Sequence, residues 1–269
     1  VEIVDGFRDG DYTGKTYQVR FLPDQDNDNY PIQSIISFTQ PGGNDLGVLI
    51  SQSIDHSKFN SASFAHLVLV TGSSEQNIST GDVTKVASDL VPFFNGKPWN
   101  ISLTIDSGST NNIKAYATQT TFNKNTYVLS CSMEAPSFFE SIGFSNNVDT
   151  LTATAGNSTP PTTANNHLGT LINAFTGSIQ EFRVYREKLT KATIVSQSLS
   201  PFNYNGNTIS SSYETLAIRI PLGSDLDTPG DSLGVDLEGK TLNKAPNPRP
   251  LTIIPKPLAS LEELDLKTS

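Results

Sequence analysis

The sequence predicts an all-β protein: a two-sheet antiparallel jelly-roll sandwich followed by an extended, proline-rich C-terminal tail. Three observations carry this. Stretches that alternate apolar and polar residues, rich in β-branched and aromatic types, recur between turn-forming clusters from residue 16 to residue 185. Charged residues make up only 17% of the chain and hydrophobic residues 36%, with Thr, Ser, Asn and Gly abundant, which suits many short strands joined by polar turns. Seven prolines then fall between positions 221 and 257. Proline lacks a backbone donor and fixes φ, so that segment cannot form an interior strand.

Taken in order, Thr16-Tyr17-Gln18-Val19-Arg20-Phe21-Leu22 alternates cleanly and stops at Pro23 and an Asp/Asn cluster. Runs at 34–38 and 46–51 flank Pro41-Gly42-Gly43-Asn44-Asp45, and a run at 64–71 ends at Gly72-Ser73-Ser74. Asn95-Gly96-Lys97-Pro98 precedes the strand expected at 99–105, and Asp106-Ser107-Gly108-Ser109 follows it. Gly and Asn accept positive φ, and Asp and Ser side chains bond the turning backbone, so these clusters read as hairpin or crossover turns. Further strands are expected at 113–118, 126–133, 138–144 and 177–185. The stretch 150–170, with Pro160-Pro161 and Asn165-Asn166, is too polar to bury and reads as a long surface loop. One short helix is expected over 190–198, with Thr190 as N-cap and Ile194 on its apolar face. The sandwich is therefore drawn over 1–222 and the extended linker or assembly arm over 223–269, where Leu251, Ile253 and Ile254 form the apolar cluster available for docking.

The formal net charge of −9 sets a repulsive average field against polyanions, and no basic patch offsets it, so nucleic acid is not an expected partner. Cys131 is the single cysteine, which excludes an internal disulfide and a multi-cysteine zinc site. It sits in an alternating run and reads as a small buried strand residue. No apolar run approaches the roughly 18 residues that span a bilayer, so no membrane span is expected. The first residue is Val1 rather than Met, which suggests an excerpt or a processed product.

Asp24, Asp26 and Asp28 place carboxylates at alternate positions, as the opening of a calcium loop does, but Asn29 and Ile35 occupy the places where an EF-hand needs Gly and a bidentate Glu. These aspartates read as a solvated turn, with a less regular calcium site as the alternative. No other cofactor is expected. A sandwich glycosidase needs paired carboxylates on one strand face. The nearest approximation, Glu263-Leu264-Asp265, lies in the tail. With no catalytic motif found, the chain is expected not to be an enzyme. Trp99, Tyr116 and Phe138 are candidates by type for a sugar platform, although Trp99, in step with Ile101 and Leu103, reads as core. Glu181, Arg183, Arg186 and Glu187 read as surface cross-strand pairs.

Residues 99–222 resemble the laminin-G-like, concanavalin A-like domains of large virion proteins of tailed phages and marine viruses. The residues that carry the likeness are Trp99-Asn100-Ile101-Ser102-Leu103, Ile113-Lys114-Ala115-Tyr116-Ala117 and Phe175-Thr176-Gly177-Ser178-Ile179-Gln180-Glu181-Phe182-Arg183-Val184-Tyr185. The last of these, with Leu189-Thr190, is similar to that family's closing strand and short helix. Residues 200–207 and 213–223 resemble the segment that leads away from the domain toward a neighbouring module. As a pattern the likeness extends over about residues 10–225. Glycine after Phe175-Thr176 fits a strand that must bend on entering a curved sheet. On the closing strand Gln180, Phe182 and Val184 should face the core while Ile179, Glu181, Arg183 and Tyr185 face out. The resemblance implies a virion-located structural module, a capsid-decorating, tail or fibre component whose partners are other virion proteins or copies of itself. The alternative is an extracellular or cell-surface adhesin that binds a host glycan, with calcium as a possible aid.

Overall fold

A computed structural model of the chain describes residues 2–4, 15–24, 32–39, 44–52, 63–73, 84–106, 112–121, 124–134, 152–155, 173–200, 203–208, 215–220 and 252–254. The strands among them are β1 (Glu2–Val4), β2 (Lys15–Pro23), β3 (Ile32–Thr39), β4 (Asn44–Ser51), β5 (His66–Ser73), β6 (Thr84–Ala87) and β7 (Trp99–Asp106). They continue with β8 (Asn112–Thr121), β9 (Lys124–Glu134), β10 (Thr152–Ala155), β11 (Asn173–Ala174), β12 (Gly177–Tyr185), β13 (Leu216–Ile220) and β14 (Thr252–Ile254), and α1 spans Lys191–Leu199.

The strands build two sheets. One has eight strands in the order β14-β1-β10-β3-β4-β5-β6, with β11 pairing β3 in parallel beside β10; the other has six in the order β13-β12-β2-β7-β8-β9. All remaining pairings are antiparallel, and the two sheets face one another as an all-β sandwich. Alternation explains the core between them. Tyr17, Val19 and Phe21 of β2, Trp99, Ile101 and Leu103 of β7, and Phe182 and Val184 of β12 meet Ile36, Phe38, Leu46, Val48, Leu67 and Leu69 of the opposite sheet. Burying such large apolar side chains is the main favourable contribution to folding, about 1.5–3 kcal/mol each.

The turn before β7 shows why its residue types are needed. Gly96 takes φ +72°, and Asn95 Oδ1 accepts the Lys97 N–H at 3.2 Å. The Asn95 and Gln119 side-chain amides exchange hydrogen bonds of 2.9 and 3.0 Å, tying that turn to β8.

The structure corrects four expectations. Thr152–Ala155, read as part of a surface loop, is strand β10 between β1 and β3. Residues 216–220, expected to lead away, form β13 and pair with β12, extending the six-stranded sheet. The closing strand is buried on both faces, because Glu181, Arg183 and Tyr185 are covered as well as Phe182 and Val184. Ile179, expected outside, packs against the core: the register shifts between Ile179 and Glu181, so the alternation of sides breaks at Gln180. The strand expected over 138–144 lies outside the described residues. Three residues of the segment drawn as an arm, Thr252–Ile254, extend the eight-stranded sheet at its edge by pairing with β1 of the same chain.

Candidate functional site

Strand pairing sorts the outward side chains of the six-stranded sheet into rows. Glu181, Arg20, Asn100 and Thr118 are successive partners across β12, β2, β7 and β8. The adjacent row runs Arg219, Arg183, Gln18, Ser102 and Tyr116. The intervening row, Phe182, Val19, Ile101 and Ala117, faces the core. Two polar rows therefore lie side by side on one face, and α1 crosses beside them. Together they form a cleft with Arg20, Asn100 and Ser102 on the sheet and Ile194, Gln197 and Ser198 on the helix.

The helix is anchored at both ends. Thr190 Oγ1 caps it by accepting the Thr193 N–H at 3.2 Å, and the Thr190 N–H donates to Asn207 Oδ1 at 2.8 Å. At the far end Thr120 Oγ1 donates to the Ser198 carbonyl at 2.8 Å, and Ser198 Oγ donates to Asn125 Oδ1 at 2.7 Å. Beneath it Leu189, Ile194, Tyr185, Tyr116 and Leu216 make a second small core, with Tyr204 against it.

Glu181 organises the charge. Its Oε2 accepts from Arg183 Nη2 at 2.6 Å and its Oε1 from Arg219 Nε at 2.7 Å, with all three side chains less than a tenth exposed. Arg183 Nη1 also donates to the Asn203 carbonyl at 2.9 Å, and the Arg219 guanidinium stands 5.3 Å from the Tyr204 ring centre. Burial pulls the Arg183 pKa down, but Glu181 and the Tyr185 hydroxyl outweigh it and hold it above its ordinary value. Burial pushes the Tyr185 phenol up to about 12. Its hydroxyl donates to the Tyr204 carbonyl at 3.1 Å and accepts from Gln197 Nε2 at 3.2 Å. Gln18 Nε2 completes the floor, donating to Gln197 Oε1 at 2.7 Å and Ser102 Oγ at 3.1 Å.

Arg20 differs from the other two arginines. It is half-buried where Arg183 and Arg219 are buried, its shielded Nε meets no hydrogen-bond partner, and burial lowers its pKa, with Glu181 opposing that effect and Arg183 adding to it, whereas the pKa of Arg183 is raised. Three guanidinium groups therefore surround one carboxylate on this face of an acidic chain.

The residues singled out from sequence fall elsewhere or play other parts. Trp99 is fully buried, donates from Nε1 to the Phe93 carbonyl at 3.0 Å and stacks on Tyr127 at 5.7 Å, so it offers no platform. Tyr116 is buried beside α1, and Phe138 lies outside the described residues. Asp24 is exposed at the end of β2, its N–H donating to the Thr176 carbonyl at 3.0 Å; Asp26 and Asp28 lie outside the described residues. No group of three or more His, Cys, Asp or Glu gathers among the described residues. Cys131 is buried, and burial pushes its thiol up to about 12. Glu181 and Arg183, read as surface pairs, are a buried ion-pair cluster. Ile253 and Ile254 stand in β14, and Leu251 lies outside the described residues. Sequence reading missed Gln18, Arg20, Asn100, Gln197 and Arg219. The signal available was an arginine at an outward position on each of three strands that turn out to be neighbours.

No protein-family model matches the chain, and no curated protein matches it either. Two solved structures are similar in fold. The enzymatically active domain of bacteriophage CBA120 tailspike protein 2 matches with a TM-score of 0.46 at 10% identity, over 75% of this chain and 26% of that one. A receptor binding domain matches with a TM-score of 0.40 at 12% identity, over 75% of this chain and 38% of that one. This chain thus spans well under half the length of either. The expectation that it is not an enzyme is contradicted by a similar structure named as an enzymatically active domain, and it is withdrawn. No helix among the described residues is long and apolar enough to cross a membrane.

Proposed function

We propose that the chain is a structural module of a virus particle, a phage tail or fibre component. In this reading the sandwich is a laminin-G-like jelly roll that packs on neighbouring virion chains and presents its α1 side to the host surface. The observation that carries it is the closing unit: β12 lies beside β2, a turn carries the chain to Thr190, and α1 folds back over the outward face of the same sheet. A strand followed by a short helix at this place is what the resemblance leads one to expect, and it supports this reading. Residues 223–269 serve as a strap, and three of them are already laid along β1.

Immunogold labelling with antibody to the purified chain, alongside mass spectrometry of virus particles from the source material, tests this. Peptides of the chain in purified particles, with gold at the tail or fibre, are expected. Particles that lack the chain would overturn the proposal.

A further inference from the structure

We propose that the cleft between α1 and the six-stranded sheet binds the carboxylate of an acidic sugar, with Arg20 as its cationic anchor and Asn100 beside it. This deepens the host-surface part of the proposed function and rests on it for its setting, though not for its chemistry.

Both oxygens of Glu181 are engaged by Arg183 and Arg219, so the one carboxylate that lines the cleft among the described residues is already paired. Arg20 remains as a guanidinium that lines the cleft, with a shielded Nε that has no acceptor. A planar guanidinium in a partly desolvated site matches a carboxylate through two parallel hydrogen bonds, which are stronger than neutral ones. One such group, with Glu181 close by, suits a single negative charge better than a doubly charged phosphate. Asn100 is the direct cross-strand partner of Arg20 and lines the same cleft. A primary amide both donates and accepts, which fits the adjacent hydroxyls of a sugar ring. Ser102 and Ser198 bring hydroxyls to the same cleft. The site is preorganised, because Gln18, Gln197 and the helix anchors fix its floor and one wall by hydrogen bonds within the chain. The acidic chain as a whole repels an anion at long range, so capture depends on this local positive surplus and should weaken as salt rises.

The test is titration calorimetry of the purified chain with tri-galacturonic acid, its methyl ester, a sulfated galactose trisaccharide and a glutamate-rich peptide. The acid should bind and the ester should lose about tenfold or more in affinity, as should Arg20→Gln with the acid. Arg20→Lys should recover part of that loss, Asn100→Ala should weaken binding, and Lys188→Gln, on the exposed surface, should leave it unchanged. Unfolding curves show whether each variant is folded. Equal binding of acid and ester, no effect of Arg20→Gln in a folded protein, or no binding of the acid would overturn the proposal. A preference for the sulfated sugar or for the peptide would overturn the choice of a sugar carboxylate. Failure here in a chain found on particles removes only this inference, whereas a chain absent from particles that still binds the acid removes only the virion setting.

Discussion

Gly177 opens β12 with φ +138°, a conformation that side chains rarely adopt. A Cβ there would run into the Leu22 carbonyl oxygen and lie 2.8 Å from Phe175 Cζ and 3.0 Å from the Asp24 nitrogen. Backbone atoms of β2 cannot yield as a flexible side chain would, so Gly177→Ala should destabilise by about 2–4 kcal/mol in urea unfolding. The sequence signalled this position, since a bend was expected where Phe175-Thr176 meets the sheet, but the reason lies in the closeness of β2. Cys131 gives a second residue-level prediction. Its folded-state pKa of about 12 exceeds its ordinary 9.0, so the fold holds the thiol proton more tightly than the unfolded chain does. Its contribution is complete below pH 9 and is lost as the pH rises toward 12, on the order of 4 kcal/mol in all. Tyr185 behaves in the same way between pH 10 and about 12. Thermal unfolding across this range should show wild type weakening from about pH 9 and Cys131→Ala only from about pH 10.

At the scale of the element, β12 is the strand on which two cores meet. Its inward side chains join the main core, and its outward ones join the ion cluster and the small core under α1. Removing Glu181 would take from the buried Arg183 and Arg219 the carboxylate that they share. Glu181→Ala should therefore cost about 3–5 kcal/mol, and the double variant Glu181→Met with Arg183→Leu should recover part of it. Equal stability of Glu181→Ala and wild type in calorimetry would show that the cluster is solvated. The boundaries of β12 and the Thr190 cap of α1 were legible because period and cap are local properties of sequence. The burial of its outward face was not. That burial depends on α1 and residues 203–208 folding back over the sheet, and alternating charges between aromatics look alike on a wet face and under a helix. Strands β10, β11 and β14 escaped for a related reason, being too short for a period to register. The cleft was illegible because Arg20, Asn100 and Glu181 come from three separate stretches and meet only through register.

At the scale of the molecule, the eight-stranded sheet ends in a corner where β1 is held between β10 and β14, that is, between residues 152–155 and 252–254. Hydrogen exchange on a chain cut after residue 222 tests that corner. The amides of Glu2–Val4 should lose protection while those of β7 and β8 keep theirs; unchanged protection at β1 would mean that β14 adds nothing to the sheet. The six-stranded sheet holds a consequence of another kind. Strand β2 lies between β7 and β12, both of which follow it in the chain. During synthesis, residues 15–23 have no partner in their own sheet until residue 99 has been added. At about 5–20 residues per second that delay is roughly 4–15 s. For the part of that delay in which it has cleared the ribosome, Tyr17, Val19 and Phe21 belong to an unpaired apolar strand, the kind of transiently exposed edge that is prone to aggregation.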